Sequence, residues 1–191
     1  MTGPLLALDL ATHAGWAVGP IPAAREALAI GALSGASGAI VKPLSGHVQF
    51  GGPGVDTGMV LGRYRTWLND TIAFHAPHGI IWEAPLPAGA HGSQQTAVRL
   101  IGLSALTEEI CAARRIPWRR KANNQKIKKF FAGHGRADKA RVKEACAQMG
   151  WGEISDDNEA DALAVWAFGV SLIYTDAQRR RARLARKLKG I

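Results

Sequence analysis

Two short apolar runs in this chain each stop at a single carboxylate. Leu5-Leu6-Ala7-Leu8 meets Asp9, and Ile80-Ile81-Trp82 meets Glu83, two residues ahead of Pro85. Runs this short read as buried strands rather than helices. Around them the pattern changes period. After Leu10, Thr12–Gly15 is turn-like and Trp16–Val18 is apolar again, which predicts a second strand; a third is expected around Ala27–Leu33. Helical spacing then runs from Met59 to His75 (Val60, Tyr64, Leu68, Ile72), with Pro77 as the stop, and from Gln95 to Arg115. "IPWRR" predicts another strand, "ANNQKIKKFFAG" a short helix with an Asn cap and a Gly stop, and the segment after His134 a further helix. A last helix is expected from near Asp156 to about Tyr174. Leading strands followed by alternating strands and helices predict an α/β fold, a mixed central β-sheet flanked by α-helices.

Between the second strand and the first helix, residues 34–58 are rich in Gly, Ser and Pro. They read as a long loop with a short extended piece at His47–Phe50. The length of 191 residues suits one domain with a full core. Cys111 and Cys146 are far apart within helical patterns and read as buried free thiols of a reducing compartment. No basic leader precedes Asp9 and no apolar stretch approaches the ~20 residues of a membrane span, so the expectation is a cytoplasmic protein that contacts no membrane.

The stretch "SDDNEADALAVW", Ser155 to Trp166, sets Asp156, Asp157, Glu159 and Asp161 against an apolar run. Acids at a helix start are favoured by the helix dipole, which accounts for Asp156 and Asp157. Asp161 lies a full turn further in, between Ala160 and Ala162, on the face it shares with Asp157, Asn158, Ala164, Val165 and Phe168. An ionised carboxylate beside a core needs a compensating cation or donors. Strand alternation puts Leu6, Leu8 and Leu10 on one face and Leu5, Ala7 and Asp9 on the other. Alone, Asp9 and Glu83 read equally well as strand-end acids in water. If the two strands are neighbours and the last helix packs across them, the three acids converge. Converging carboxylates repel unless a cation sits among them. All-oxygen donors suit Mg²⁺ or Mn²⁺, and two such ions can clamp the attacking and leaving oxygens of a phosphodiester.

The charge distribution supports a polyanionic partner. The net charge is +9, yet residues 1–113 carry 5 Lys/Arg against 7 Asp/Glu, while residues 114–191 carry 19 against 8. Such a basic half is the footprint expected of a DNA-binding surface.

The ordered set "LALDLATHAGWAV", "IIWEAP", "KIKKFFAGHGRADKARV" and "DDNEADALAVW" resembles the RuvC-type Holliday junction resolvases of the ribonuclease H-like superfamily, over roughly residues 5–173. The resemblance implies a ribonuclease H-like nuclease domain over 1–177 with a basic C-terminal tail at 178–191. It implies a Mg²⁺- or Mn²⁺-dependent, structure-selective DNA endonuclease with two ions per site, resolving four-way junctions as a homodimer, in a bacterial or phage-infected cell. It makes Asp9, Glu83 and Asp161 metal ligands and matches Lys128 and Lys139 to lysines near the cleaved strand. The family has a further Asp or His three residues before the last aspartate. Asn158 stands there, with the anionic Asp157 one step earlier on the same face; Asp157 is the preferred fourth ligand, and Asn158, through its amide oxygen, the alternative. After Glu83 the chain reads "APLPAGAHG", with Leu86 where the family has an aromatic side chain that contributes to junction specificity.

Lys126, Lys128, Lys129, Arg136 and Lys139 belong to a stretch, Arg114 to Lys143, with twelve basic residues and one acid. They are expected to contact DNA phosphates. The Gly133–Gly135 turn reads either as a phosphate cradle or as a simple connector. The tail from Gln178 reads as a non-specific DNA contact or as a solvated, frayed helix. Trp118 and Trp151 read as core residues, with base stacking as a minor alternative. The six histidines show no metal-ligand spacing, and His13 reads as a satisfied loop residue. The helix from Gln95 to Arg115 carries apolar residues on more than one face (Val98, Leu100, Ile101, Leu103, Ala105, Leu106, Ile110): one face can cover the sheet, and another suits either a second copy of the chain or burial beneath the loop of residues 34–58. Two rival functions stay open: a related nuclease acting on flaps, R-loops or duplexes, and a non-catalytic basic DNA-binding protein whose acids only cap elements.

Overall fold

Strand β1 (Pro4–Asp9) is buried on both faces, with Leu5, Leu6, Ala7 and Leu8 at 0–1% exposure, and it forms the middle of the sheet. The computed structural model describes residues 3–22, 41–85 and 93–188. The other elements are β2 (His13–Pro20), β3 (Leu44–Gln49), α1 (Thr57–His75), β4 (Gly79–Glu83), α2 (Gln94–Ala113), β5 (Trp118–Ala122), α3 (Asn124–Ala132), α4 (Lys139–Gln148) and α5 (Asp157–Leu188). The sheet order is β3-β2-β1-β4-β5. The β1–β2 and β2–β3 pairs are antiparallel, and β1–β4 and β4–β5 are parallel. The fold is therefore the expected mixed sheet flanked by helices.

Alternation along β1 sorts two cores. Leu5 and Ala7, with Ile81 of β4, pack under α3, α4 and α5; Leu6, Leu8 and Leu10, with Ile80 and Trp82, pack under α1 and α2. Cys111 and Cys146 are buried free thiols in different cores, and burial pushes each up to about 12.

Each described helix begins on a side-chain oxygen that accepts backbone amides left unpaired by the first turn. Asp56 accepts from Met59, Ser93 from Thr96, Asn123 from Lys126 and Asp138 from Arg141. Asp156 Oδ1 accepts from Asn158 and Glu159 at 2.9 and 3.0 Å.

Helix α5 runs across the sheet and is buried almost all round from Ala160 to Ile173. Its small residues allow close approach. A Cβ on Gly169 would lie 2.9 Å from Leu5 and Ile81, and one on Gly15 of β2 would lie 1.8 Å from the Asn158 carbonyl oxygen.

Three expectations differ from the structure. The last helix does not stop near Tyr174. It spans 32 residues in all, about 48 Å, and reaches Leu188, well past Tyr174. Burial ends there, but Arg, Ala, Leu and Lys are strong helix formers and carry the helix onward. The short extended piece inside the Gly-rich segment is a full strand, β3, paired with β2 from His13↔Gln49 to Val18↔Leu44. His13 does not lie in a loop: β2 begins at it, so the turn is shorter than Thr12–Gly15. Trp118 and Trp151 are both 5% exposed in the core, as the sequence reading expects, and Trp151 stacks on Phe131. The strand expected around Ala27–Leu33 lies outside the described residues.

Candidate active site

Asp9 and Glu83 end neighbouring parallel strands. The β1–β4 register pairs Leu6 with Ile80 and Leu8 with Trp82, so Asp9 and Glu83 fall one step beyond, side by side at the carboxyl ends. That edge of an open α/β sheet is where ligands usually bind. Both acids share the face of Leu5, Ala7 and Ile81, the one covered by α5. Asp161 comes down from the second turn of α5.

The three carboxyls feel one another. Burial lifts Asp9 well above its ordinary value, and the charges of Glu83 and Asp161 lift it further, while Lys139 and Lys128 pull it down. Glu83 is raised by burial and by Asp161, against a hydrogen bond from Asn124 and the charge of Lys128. Asp161 is raised by burial, with Lys128 and Lys139 opposing and Asp157 adding to the rise. The helix-capping acids Asp56, Asp138 and Asp156 already account for the structural need for carboxylates at helix starts. Among the described residues Asp9, Glu83 and Asp161 cap no helix, and their raised values mark an arrangement in want of positive charge. All donors are oxygens, which fits a hard divalent cation.

Asp157 is differently placed. Its oxygens are held by Lys143 at 2.7 Å and Lys139 at 2.9 Å, and those two hydrogen bonds take its carboxyl down to about 2. It stands at the rim, near enough to raise Asp161, with its charge already answered. Asn158 is half-buried; its amide is tied to Asp156 and its carbonyl lies over Gly15.

Of the predicted basic residues, Lys128 and Lys139 are the two whose charge reaches the acids. Contact with Asp157, and the fields of Asp161 and Asp9, raise Lys139 in turn, against slight desolvation. Lys126, Lys129 and Arg136 lie exposed on α3 and on the turn that follows it. Just after that turn the Arg136 amide donates to His134 Nδ1 and the Ala137 amide to the His134 carbonyl.

Sequence reasoning missed two residues. Asn124 donates its amide to Glu83 Oε1 at 2.7 Å, orienting the carboxyl. The signal was the Asn123-Asn124 pair, of which only one can cap. Lys143 was counted in the basic stretch but not assigned to the site; it faces Asp157 and also donates to the Ser155 carbonyl at 2.7 Å.

No protein-family model matches the sequence, and no curated protein does. By structure, the chain is similar to RuvC of Thermus thermophilus: TM-score 0.66 and 17% identity, over 90% of this chain and 96% of that one. T. thermophilus RuvC in complex with a Holliday junction substrate matches with a TM-score of 0.65 and 18% identity, over 86% and 91% of the two chains. The yeast mitochondrial Holliday junction resolvase Ydc2 gives a TM-score of 0.61 at 11% identity, over 98% and 85%. The fold is thus the ribonuclease H-like fold.

Proposed function

We propose that this chain is a structure-selective DNA endonuclease that resolves four-way junctions with divalent metal ions. The observation that carries the reading is the convergence of Asp9, Glu83 and Asp161 from β1, β4 and α5, with Lys128 and Lys139 beside them. Asp9, Glu83 and Asp161 would hold two ions, Mg²⁺ or Mn²⁺, with Asp157 or Asn158 as a further ligand. Bound ions supply the positive charge these carboxyls need and the Lewis acidity that stabilises phosphodiester hydrolysis. Asn124 orients Glu83. Lys128 and Lys139 meet the phosphates flanking the scissile bond, and Lys126, Lys129 and Arg136 extend that contact along α3 and the turn. If Asp157 serves as a ligand, it does so by exchanging its two lysines for an ion, which would release Lys139 to the DNA.

Val98 and Ile101 on α2 are 51% and 46% exposed, an apolar face suited to a second copy of the chain. A homodimer would present two centres to two strands of a junction. The similarity to RuvC and to Ydc2, both described with Holliday junctions, supports this substrate. The absence of an aromatic residue in "APLPAGAHG" after Glu83 favours a second reading, a nuclease of the same chemistry acting on flaps, R-loops or duplex DNA.

The test is cleavage of a four-way junction, a flap and a linear duplex by wild type and Asp9→Asn, with Mg²⁺ and with Mn²⁺. Junction cleavage abolished by the substitution is the expected result. Preferred cleavage of a flap or duplex selects the second reading. Full cleavage by Asp9→Asn refutes the site. None of the described helices is long and apolar enough to cross a membrane.

A further inference from the structure

Beside the carboxylate centre, a second cluster of a different donor chemistry forms where β2, β3 and the start of α5 meet. His13 opens β2 and His47 lies in β3, which the sequence separates by more than thirty residues. The β2–β3 register pairs Gly15 with His47 and His13 with Gln49. Paired residues share a face, and residues two apart along a strand share it too. His13, Gly15 and His47 therefore point to the same side. That side is the one under α5, because the missing Cβ of Gly15 would run into the Asn158 carbonyl. Ser45, two residues before His47, confirms the facing: its hydroxyl donates to Glu159 Oε1 at 2.7 Å.

Asp156 completes the group from the helix. Its Oδ1 is occupied by the amides of Asn158 and Glu159, which fixes the carboxyl and leaves Oδ2 turned to His47 Nδ1 at 3.5 Å. The two imidazoles stand edge to face with centroids 4.8 Å apart. One ligating atom from each of His13, His47 and Asp156 lies within 4.8 Å of the others. Among the described residues this is the group of three His, Cys, Asp or Glu side chains drawn that close.

We propose that His13, His47 and Asp156 bind one borderline transition-metal ion, of the Zn²⁺ class, that clips the first turn of α5 onto β2 and β3. Two imidazole nitrogens and one carboxylate oxygen select Zn²⁺, Co²⁺, Ni²⁺ or Cu²⁺ over Mg²⁺, which prefers oxygen. Tetrahedral zinc with bonds of about 2.0–2.1 Å holds its ligand atoms about 3.3 Å apart. The cluster therefore needs a contraction of about 1.5 Å, within reach of side-chain torsions. The half-exposed His47 ring leaves a water room for the fourth position. The positive end of the helix opposes a cation, but the Asp156 carboxylate stands between them. Asp161 follows Asp156 by five residues on the same helix, so the clip would set where α5 delivers that acid. The site is distinct from the Asp9–Glu83–Asp161 centre in donors and in the metal it selects, and it stands whether or not the chain cuts DNA.

The experiment titrates Co²⁺ into the full-length protein, stripped by chelator and kept in excess Mg²⁺ to saturate the oxygen-rich centre, and reads the visible absorption of the ion. One Co²⁺ per chain is expected, displaced by Zn²⁺. His13→Ala and His47→Ala should each weaken Co²⁺ at least about tenfold, while Asp161→Asn keeps it. Zn²⁺ should raise the Tm of wild type and leave His47→Ala unmoved. No Co²⁺ binding, binding that survives both histidine substitutions, or binding lost on Asp161→Asn each overturns the proposal. Should a histidine variant fail to fold, proton NMR of the wild-type Co²⁺ complex decides. Two paramagnetically shifted imidazole N–H resonances support the site, and their absence overturns it.

Discussion

Gly15 of β2 lies directly beneath the Asn158 carbonyl of α5, so close that any β-carbon at position 15 would sit 1.8 Å from the oxygen. The contact is backbone against backbone, and no side-chain rotation relieves it. Gly15→Ala should therefore push the first turns of α5 off the sheet, carrying Asp161 away from Asp9. Thermal unfolding should show a loss of about 1–3 kcal/mol or more, and cleavage should fall further than stability alone accounts for.

Asp9→Asn, Glu83→Gln and Asp161→Asn should each reduce junction cleavage by at least about 10²–10³-fold, the scale for losing one group that stabilises transition-state charge. DNA binding, read by gel shift in Ca²⁺, should survive. Because the three charges repel one another, the same variants should be more heat-stable than wild type when both are metal-free.

The raised carboxyls also set a pH dependence. Asp9, Glu83 and Asp161 hold protons more tightly in the folded chain than the unfolded value of about 4. The folded state then binds more protons, so stability falls as pH rises from about 4 through their raised values. Asp157 works in the opposite sense, adding stability above the ordinary carboxylate range that is lost as pH falls toward about 2, below that window. Tm of the metal-free protein should decline from weakly acid toward neutral pH, and Asp9→Asn should flatten the decline.

Lys128 pulls on all three acids from α3. Lys128→Ala should weaken binding to every DNA substrate alike and lower the slope of log affinity against log salt by about 1. Fluorescence anisotropy over a salt series measures it. An unchanged slope would remove Lys128 from the interface.

Residues 178–186 of α5 are all exposed. Deleting everything after Gln178 removes seven Lys/Arg and no acid. The Tm should hardly move, since burial ends before this point, while the salt dependence of DNA binding becomes shallower. Parallel melting curves and binding isotherms check both halves of the expectation.

Much of the fold was legible. Leu5–Leu8 and Ile80–Trp82 declare buried strands because both faces are apolar, and Asp161 stands out because its neighbours are core residues. Periodicity reports burial, however, and burial is not the same as secondary structure. The end of the apolar stripe near Tyr174 was visible, and a solvated helix was one of two readings of the tail from Gln178, but nothing in the stripe joined the two into one helix running on to Leu188. Strand β3 was only partly visible, as a short extended piece at His47–Phe50, for the converse reason: Leu44–Gln49 is a half-exposed edge strand of mixed polarity, held by pairing with β2 rather than by a core of its own.

The sequence by itself determined which carboxyls could serve, since composition and alternation single out Asp9, Glu83 and Asp161, and it determined where the positive charge lies. Only the tertiary structure decided which groups meet. Strand order set Asp9 beside Glu83. The crossing of α5 over Gly15 brought Asp161 to them, handed Asp157 to Lys139 and Lys143, and drew Asp156 to His13 and His47. The physical reason is that a side chain's local pattern specifies the face it occupies, whereas its partners depend on register and on how closely helix and sheet approach. Those are properties of backbones packed together, which no single stretch of the chain encodes.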